Sequence, residues 1–384
     1  MNIALIHDWL VSLGGAESCL QVFHEIWPEA PLYTLVYEAK SAEKMGFDPN
    51  QIIASRIQRI RKADQRYRSF LPFFPLAVEQ LDVSDYDVIL SGSHCAAKGV
   101  LTRADQLHIC YCHTPVRYAW DLTNRYLAEH NLTSGVKSVL ARAALHYLRI
   151  WDIQTANRVD HFIANSNYTA ERIWRTYRRP AVVIHPPVDT ARFQVQSRKE
   201  EYFLFLSRIV PYKKADMVVQ AFNRLGLPLK VVGDGPQLNW CRSLGGKNIE
   251  FLGYQDNNAV NTLLANARAL IFAADEDFGI VPVEAQACGT PVIAFGKGGV
   301  RETVIPADGH HWDRATGILF PEQTMEHLVQ AVEQFVRWEG RFQPEILRQN
   351  AERFSRDRFR REIDGFVQDK WQAFQNRGRI ASGE

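Results

Sequence analysis

The stretch Asp275-Glu276-Asp277-Phe278-Gly279-Ile280-Val281-Pro282-Val283-Glu284 decides how this chain is read. Glu276 and Glu284 stand eight positions apart across a Phe-Gly turn. The segment before it, Ala269-Leu270-Ile271-Phe272-Ala273-Ala274, has the uniform hydrophobicity of a parallel strand buried on both faces. Pro282 suits the first position of a helix, where its missing N–H would have no partner, and Gly289 is a usual helix terminator. A second apolar strand, Pro291-Val292-Ile293-Ala294-Phe295, follows. This strand–turn–helix unit predicts Glu276 at a strand's carboxyl end and Glu284 in the first helical turn. Between them the backbone N–H groups of Gly279, Ile280 and Val281 lie at the positive end of the helix, a suitable seat for a phosphate. A carboxylate on either side of an anion seat suits a ligand that is part phosphate and part polyol, as a nucleotide-sugar is.

The same βα alternation runs through the chain. Strands are predicted near 2–7, 87–91, 107–112, 161–165 and 181–185, then near 202–206, 228–233, 249–252, 269–274, 291–295 and 317–320. Helices are predicted after Gly15, over 137–158 and 167–177, and between the later strands. Repeated βα units imply parallel sheets covered on both faces, and 384 residues exceed what one core usually serves. The expected fold class is α/β, with two Rossmann-like, doubly wound domains over 1–190 and 191–356. The polar, unpatterned run from Arg192 to Glu201 marks their junction. Ligands of such sheets bind at the carboxyl ends of the strands.

A hydrophobic content of 46%, a charged content of 23% and a net charge of +2 describe an ordinary globular protein without the basic excess of a nucleic-acid binder. No apolar run approaches the ~20 residues that span a bilayer. The opening Met1–Asp8 turns polar too soon for a signal peptide, so a cytoplasmic protein is expected. Cys110-x-Cys112 lacks the spacing of a redox or zinc pair, and all six cysteines read as buried, reduced thiols.

Several polar residues stand where predicted strands end. Arg208 offers a planar fork for phosphate oxygens and Lys213 a mobile point charge, a pair suited to a diphosphate. Gly233, in Val232-Gly233-Asp234-Gly235-Pro236, would narrow the wall of a binding crevice. Glu284 could accept hydrogen bonds from ribose hydroxyls. Gly14-Gly15 would let a phosphate or acceptor approach the backbone, yet Glu17 and the missing third glycine rule out a dinucleotide fingerprint. That argues against a dehydrogenase or epimerase. Asp8 could position an acceptor hydroxyl, and Asp256 could face the donors of a guanine base. Asp275-x-Asp277 has the form of a metal-binding pair, but the nearby cations and helix end make a metal superfluous. From Arg56 to Phe74, six cations and one Asp precede an aromatic patch, a composition suited to an anionic membrane surface.

The Glu-x7-Glu pattern, Gly14-Gly15, Ser207-Arg208-Ile209-Val210-Pro211-Tyr212-Lys213 and Val232–Pro236 together resemble the retaining GT-B glycosyltransferases called family 4. Tyr111-Cys112-His113-Thr114-Pro115-Val116-Arg117-Tyr118-Ala119-Trp120-Asp121 and His185-Pro186-Pro187-Val188-Asp189 are similar to bacterial mannosyltransferases that build surface polysaccharides. The resemblance implies two domains facing across a cleft, with acceptor bound by the first and nucleotide-sugar by the second. It also implies a last helix, 357–377, that returns to the first domain, with Phe366, Trp371 and Phe374 available for docking. Glu276 and His113 would act at the donor sugar's reacting centre, without a metal or other cofactor. The implied donor is GDP-mannose, with a UDP-sugar as the alternative. The implied acceptor is a lipid-linked or oligosaccharide glycan, met at the inner face of the cytoplasmic membrane. A non-catalytic glycan-binding subunit is the remaining reading, which the intact set of Arg208, Lys213, Glu276 and Glu284 opposes.

Overall fold

A computed structural model describes residues 1–12, 14–129 and 131–382, the side chains at 125, 129 and 377–382 excepted. It divides into two compact units, Met1–Pro186 together with the chain from Phe359 onward, and Pro187–Arg358. The first unit holds β1 (Ile3–Leu10), β2 (Leu32–Tyr37), β3 (Ile53–Ala54), β4 (Val88–Ser93), β5 (Leu107–Cys112), β6 (His161–Ala164) and β7 (Ala181–Val183). They form one parallel sheet in the order β3-β2-β1-β4-β5-β6-β7. The second unit holds β8 (Phe203–Leu206), β9 (Leu229–Val232), β10 (Ile249–Gly253), β11 (Leu270–Phe272), β12 (Val292–Phe295) and β13 (Gly317–Phe320). Its order, β10-β9-β8-β11-β12-β13, is that of a doubly wound dinucleotide fold, and it too is parallel throughout. The two sheets make this a GT-B fold.

Alternate residues of each strand feed opposite cores, which is why the strands are apolar without interruption. In β1, Ile3 and Leu5 enter one cluster and Ala4 and Ile6 the other. In β11, Leu270 and Phe272 face one side and Ile271 the other. The order reverses between β1 and β4 and between β8 and β11, so each unit has a crevice at its carboxyl edge there.

Two strands went unpredicted. Leu32–Tyr37 is a short buried run that periodicity alone does not separate from a helix, and β3 is only two residues long. The helix predicted to begin at Pro282 begins at Ile280, after Gly279 turns the chain at φ +86°. Pro282 is therefore its third residue, where an N–H would still lack an intrahelical acceptor, and Glu284 is its fifth. The division at Pro186/Pro187 lies a few residues before the expected 190/191, because Val188 donates its N–H to Phe354 of the second unit at 2.9 Å.

The final helix, Arg356–Ser382, buries Phe359, Ile363 and Val367 in the core of the first unit, with Phe366, Trp371 and Phe374 packed at its margin. Phe359 stacks on Phe23 with centroids 5.9 Å apart. All six cysteines are buried. Among the described residues, no helix is long and apolar enough to cross a membrane.

Candidate active site

In the second unit the predicted residues gather where β8 and β11 end. The loop after β8 runs through Arg208 into a short 3-10 turn, Pro211–Lys213. Its seat is made by the glycines after β9. Gly233 adopts φ +127°, and a Cβ there would collide with the carbonyl oxygen of Ser207. Ile209 N–H donates to Asp234 O at 2.9 Å, and Ser207 N–H to Val232 O at 3.1 Å. Gly233 thus sets the position of the loop that carries Arg208 and Lys213. Arg208 is exposed. The Lys213 ammonium forms an ion pair with Glu276 Oε1.

Glu276 itself is held by backbone. Gly299 N–H donates to its carbonyl at 2.9 Å, and Glu276 and Gly298 form a parallel bridge. A side chain on Gly299 would strike Asp277 O and Phe278 Cα. Lys297, beside this glycine pair, lies 3.1 Å from Asp275. The next helix, Ile280–Ala287, leaves the N–H groups of its first turn without intrahelical acceptors. Glu284, on that helix, is paired with Arg192 at 2.6 Å. Burial raises the Glu284 carboxyl above the usual carboxylate range; Arg192 opposes the shift and Asp189 adds to it. Asp256 stands apart from this group, as the N-cap of Asn257–Asn266, where it accepts the Ala259 N–H at 2.8 Å.

The first unit assembles a different site. His7 lies in β1, His94 just after β4, and His113 just after β5. Their ring centroids are 6.3 to 6.5 Å apart, a triangle across the switch point. Burial, with His7 and His94 adding to it, holds the His113 imidazolium well below its ordinary pKa. Burial likewise lowers His94, although Asp8 and Glu17 oppose it. Asp8 was expected to position an acceptor hydroxyl. It is instead fully buried, and its carboxylate accepts the backbone N–H groups of His94, Cys95, Ala96 and Ala97 at 2.5 to 2.9 Å. With His94 Nδ1 also 3.1 Å from Oδ2, the carboxylate is turned wholly to this loop, so Asp8 shapes the loop that carries His94. Gly14 precedes the helix Gly15–Ile26, whose Glu17 lies 3.9 Å from His7 Nε2. Burial raises the Glu17 carboxyl, but its attraction to His7 and, more weakly, to His94 outweighs it, and the net shift is downward.

The segment after His113 is anchored at several points. Asn165 Nδ2 donates to His113 O at 2.9 Å, Arg172 donates to Thr114 Oγ1 at 2.9 Å, and Trp120 Nε1 donates to Asp152 at 2.7 Å. Residues that the sequence reading passed over include His7, His94, Glu17, Arg192, Lys297 and the pair Gly298-Gly299. The signal was there for some: His7-Asp8 interrupts an apolar strand, Ser93-His94 closes another, and Gly298-Gly299 is a glycine pair after β12 as Gly14-Gly15 is after β1. Arg192 lay in a stretch that looked like linker.

Comparison with known proteins agrees with both units. Residues 31–192 match the family described as Glycosyltransferase Family 4, and residues 188–354 match Glycosyl transferases group 1. A D-inositol 3-phosphate glycosyltransferase of Mycobacterium leprae is 30% identical over 210 residues, 48% of this chain and 47% of that protein. A GDP-mannose-dependent monoacylated alpha-(1-6)-phosphatidylinositol monomannoside mannosyltransferase of Corynebacterium glutamicum is 40% identical over 124 residues, 27% of this chain and 31% of that one. The chain thus matches about half, or less, of the length of these curated relatives. In fold it is similar to HepE of Anabaena, crystallised with UDP, with a TM-score of 0.69 at 17% identity over 96% of this chain and 100% of that one. The two family matches fall on successive parts of the chain, and each is a likeness to a glycosyltransferase family.

Proposed function

We infer that this protein moves a hexose from a nucleotide-sugar to a lipid-linked or oligosaccharide acceptor, retaining the configuration of the sugar. The observation that carries the reading is the meeting of Lys213, Glu276 and the N-terminus of Ile280–Ala287 at the β8/β11 switch point. Cation and helix end suit a diphosphate, Glu284 beside Arg192 suits the ribose, and Glu276 suits a sugar ring gaining positive charge. As the glycosidic bond breaks, the leaving phosphate takes the proton of the acceptor hydroxyl, and Glu276 stabilises the charge on the ring. The neutral His113 imidazole can hydrogen-bond the sugar without adding a repelling charge. Lys213 and Lys297 already supply positive charge here, which favours a reaction without a metal.

GDP-mannose is the first donor to test. The relative with 40% identity is named for it, and the segments at His113 and Pro186 point the same way. A UDP-sugar is the second reading, favoured by the fold neighbour that holds UDP. Asp256 does not decide between them, since its N-cap bond explains its presence. The basic stretch 56–74 supports an acceptor held at an anionic membrane surface, on the inner face of the cytoplasmic membrane. A thermal-shift panel of GDP-mannose, GDP-fucose, UDP-glucose and UDP-GlcNAc tests the donor, and product analysis with the stabilising donor tests the transfer. Stabilisation by none of the four would overturn the donor site.

A further inference from the structure

The helix Gly135–Ala156 is apolar on two opposite faces. Its inner face is committed: Leu145, Leu148 and Trp151 lie in the core of the first unit, and Asp152 pairs with the buried Lys98. On the opposite side Val136, Val139, Leu140, Tyr147 and Ile150 are 77, 66, 64, 50 and 47% exposed. A helix at a protein surface ordinarily turns polar residues outward, and a continuous exposed apolar stripe marks an interaction surface. The buried Asp152–Lys98 pair fixes the rotation of the helix, so the stripe cannot cover itself by turning inward.

The neighbouring segment packs beside the inner face of the helix. Ser69, Leu71 and Pro72 line an apolar groove of about 220 Å³ with Ala141 and Leu148 of the helix, and Arg68 is among its residues. Phe73 and Leu76, just beyond, are 60% and 59% exposed. Exposed cations lie on both the helix and this segment. Lys137 and Arg142 on the helix are exposed, as are Arg59, Arg61, Lys62, Arg66 and Arg68 on the adjoining segment. The helix's only acid is Asp152, and it is buried.

We propose that this face rests on an anionic lipid bilayer, with the helix lying in the plane of the interface. Val136, Val139, Leu140, Tyr147 and Ile150 enter the boundary between headgroups and acyl chains, and the cations sit among anionic headgroups. Charge chooses the occupant. A second copy of this chain would set the same cations against one another, whereas an anionic bilayer supplies both the opposite charge and an apolar layer. The inference rests on the reading of a membrane-bound acceptor and adds an apolar anchor to the basic stretch.

The test is co-sedimentation of the full chain with phosphatidylcholine vesicles, with and without phosphatidylglycerol, at low and high salt. Two combined variants are compared with the unaltered protein: Val139→Gln, Leu140→Gln and Ile150→Gln on the stripe, and Arg59→Gln, Arg61→Gln, Arg66→Gln and Arg68→Gln on the basic segment. All these residues are exposed, and thermal unfolding verifies that each variant folds. The unaltered protein should bind the anionic vesicles and keep part of that binding at high salt, since salt screens the charges but not the apolar contact. The stripe variant should keep only salt-sensitive binding. Binding of the stripe variant equal to the original, with loss in the arginine variant alone, would overturn the inference and leave the basic-stretch reading standing. No binding of the original protein to anionic vesicles would overturn both. A solution dimer that the stripe substitutions convert to monomer would assign the face to a second copy and overturn the bilayer.

Discussion

At the switch point of the first unit stand three imidazoles, two of them held neutral by burial, beside carboxylates held by backbone N–H groups or by histidine. At the switch point of the second unit the carboxylates meet full cations: Lys213 with Glu276, Arg192 with Glu284, Lys297 with Asp275. One strand order has therefore been given two electrostatic characters. A ligand reaching the second edge meets charges that can be exchanged for its own, as a diphosphate requires. A ligand reaching the first meets the neutral rings of His94 and His113, which can hydrogen-bond a hydroxyl without drawing in an anion.

The strongest test of this contrast is Glu276→Gln. The substitution is nearly isosteric, so fold and nucleotide affinity should persist, while single-turnover rate at saturating donor falls by roughly 10²–10³. Glu284→Gln should act mainly on nucleotide affinity, measured by calorimetry, because ribose is held in ground state and transition state alike. If Glu276→Gln loses affinity and keeps its rate, the two roles are reversed or absent.

Acid should separate the units next. His108, wholly buried on β5, donates from Nδ1 to Arg158 O and accepts from Ser91 Oγ. Burial lowers it to about 4, against the pull of the Arg158 carbonyl. An unfolded chain takes up that proton near pH 6.5, before the folded one does. Stability is therefore full above 6.5 and falls as pH drops toward 4, by up to about 3 kcal/mol from this group. Hydrogen exchange at pH 7.5 and 5 should show β4 and β5 losing protection more than β11 and β12. Equal loss in both sheets would remove the contrast.

Arg208→Ala, Lys213→Ala and Arg192→Ala should each weaken GDP or UDP binding, with a charge-assisted contact contributing about 1.5–3 kcal/mol, and leave the melting temperature of the first unit unchanged. Unaltered affinity in all three would remove the exchangeable charges from the second edge. The smallest effect is expected from chelation. Excess EDTA should leave turnover nearly intact, whereas complete loss restored by manganese would return Asp275 and Asp277 to a metal site.

The sequence made the second unit more legible than the first. Apolar runs such as Leu270–Phe272 and Val292–Phe295 announce buried parallel strands, and polar residues at their ends announce a site. The first unit hides part of its sheet in Leu32–Tyr37, whose six residues carry no period of their own. Asp8 shows the limit of reading residue types. Its place at a strand end suggested chemistry, but only the loop folded around it reveals that four N–H groups occupy the carboxylate. Arg192 shows the converse, since its partner Glu284 is distant in sequence and no local pattern connects them.

The final helix has a consequence for how the protein is made. Phe359, Ile363 and Val367 belong to the core built on β1, β4 and β5, yet they leave the ribosome after the whole of the second unit. Domains usually fold in the order of synthesis. Here the unit that begins the chain is the last to be completed, and until then it exposes the hollow that Phe359 fills against Phe23 and Tyr111. A chain ended just after Arg358 should therefore carry a completed second unit and an unfinished first one, vulnerable to chaperone capture and protease.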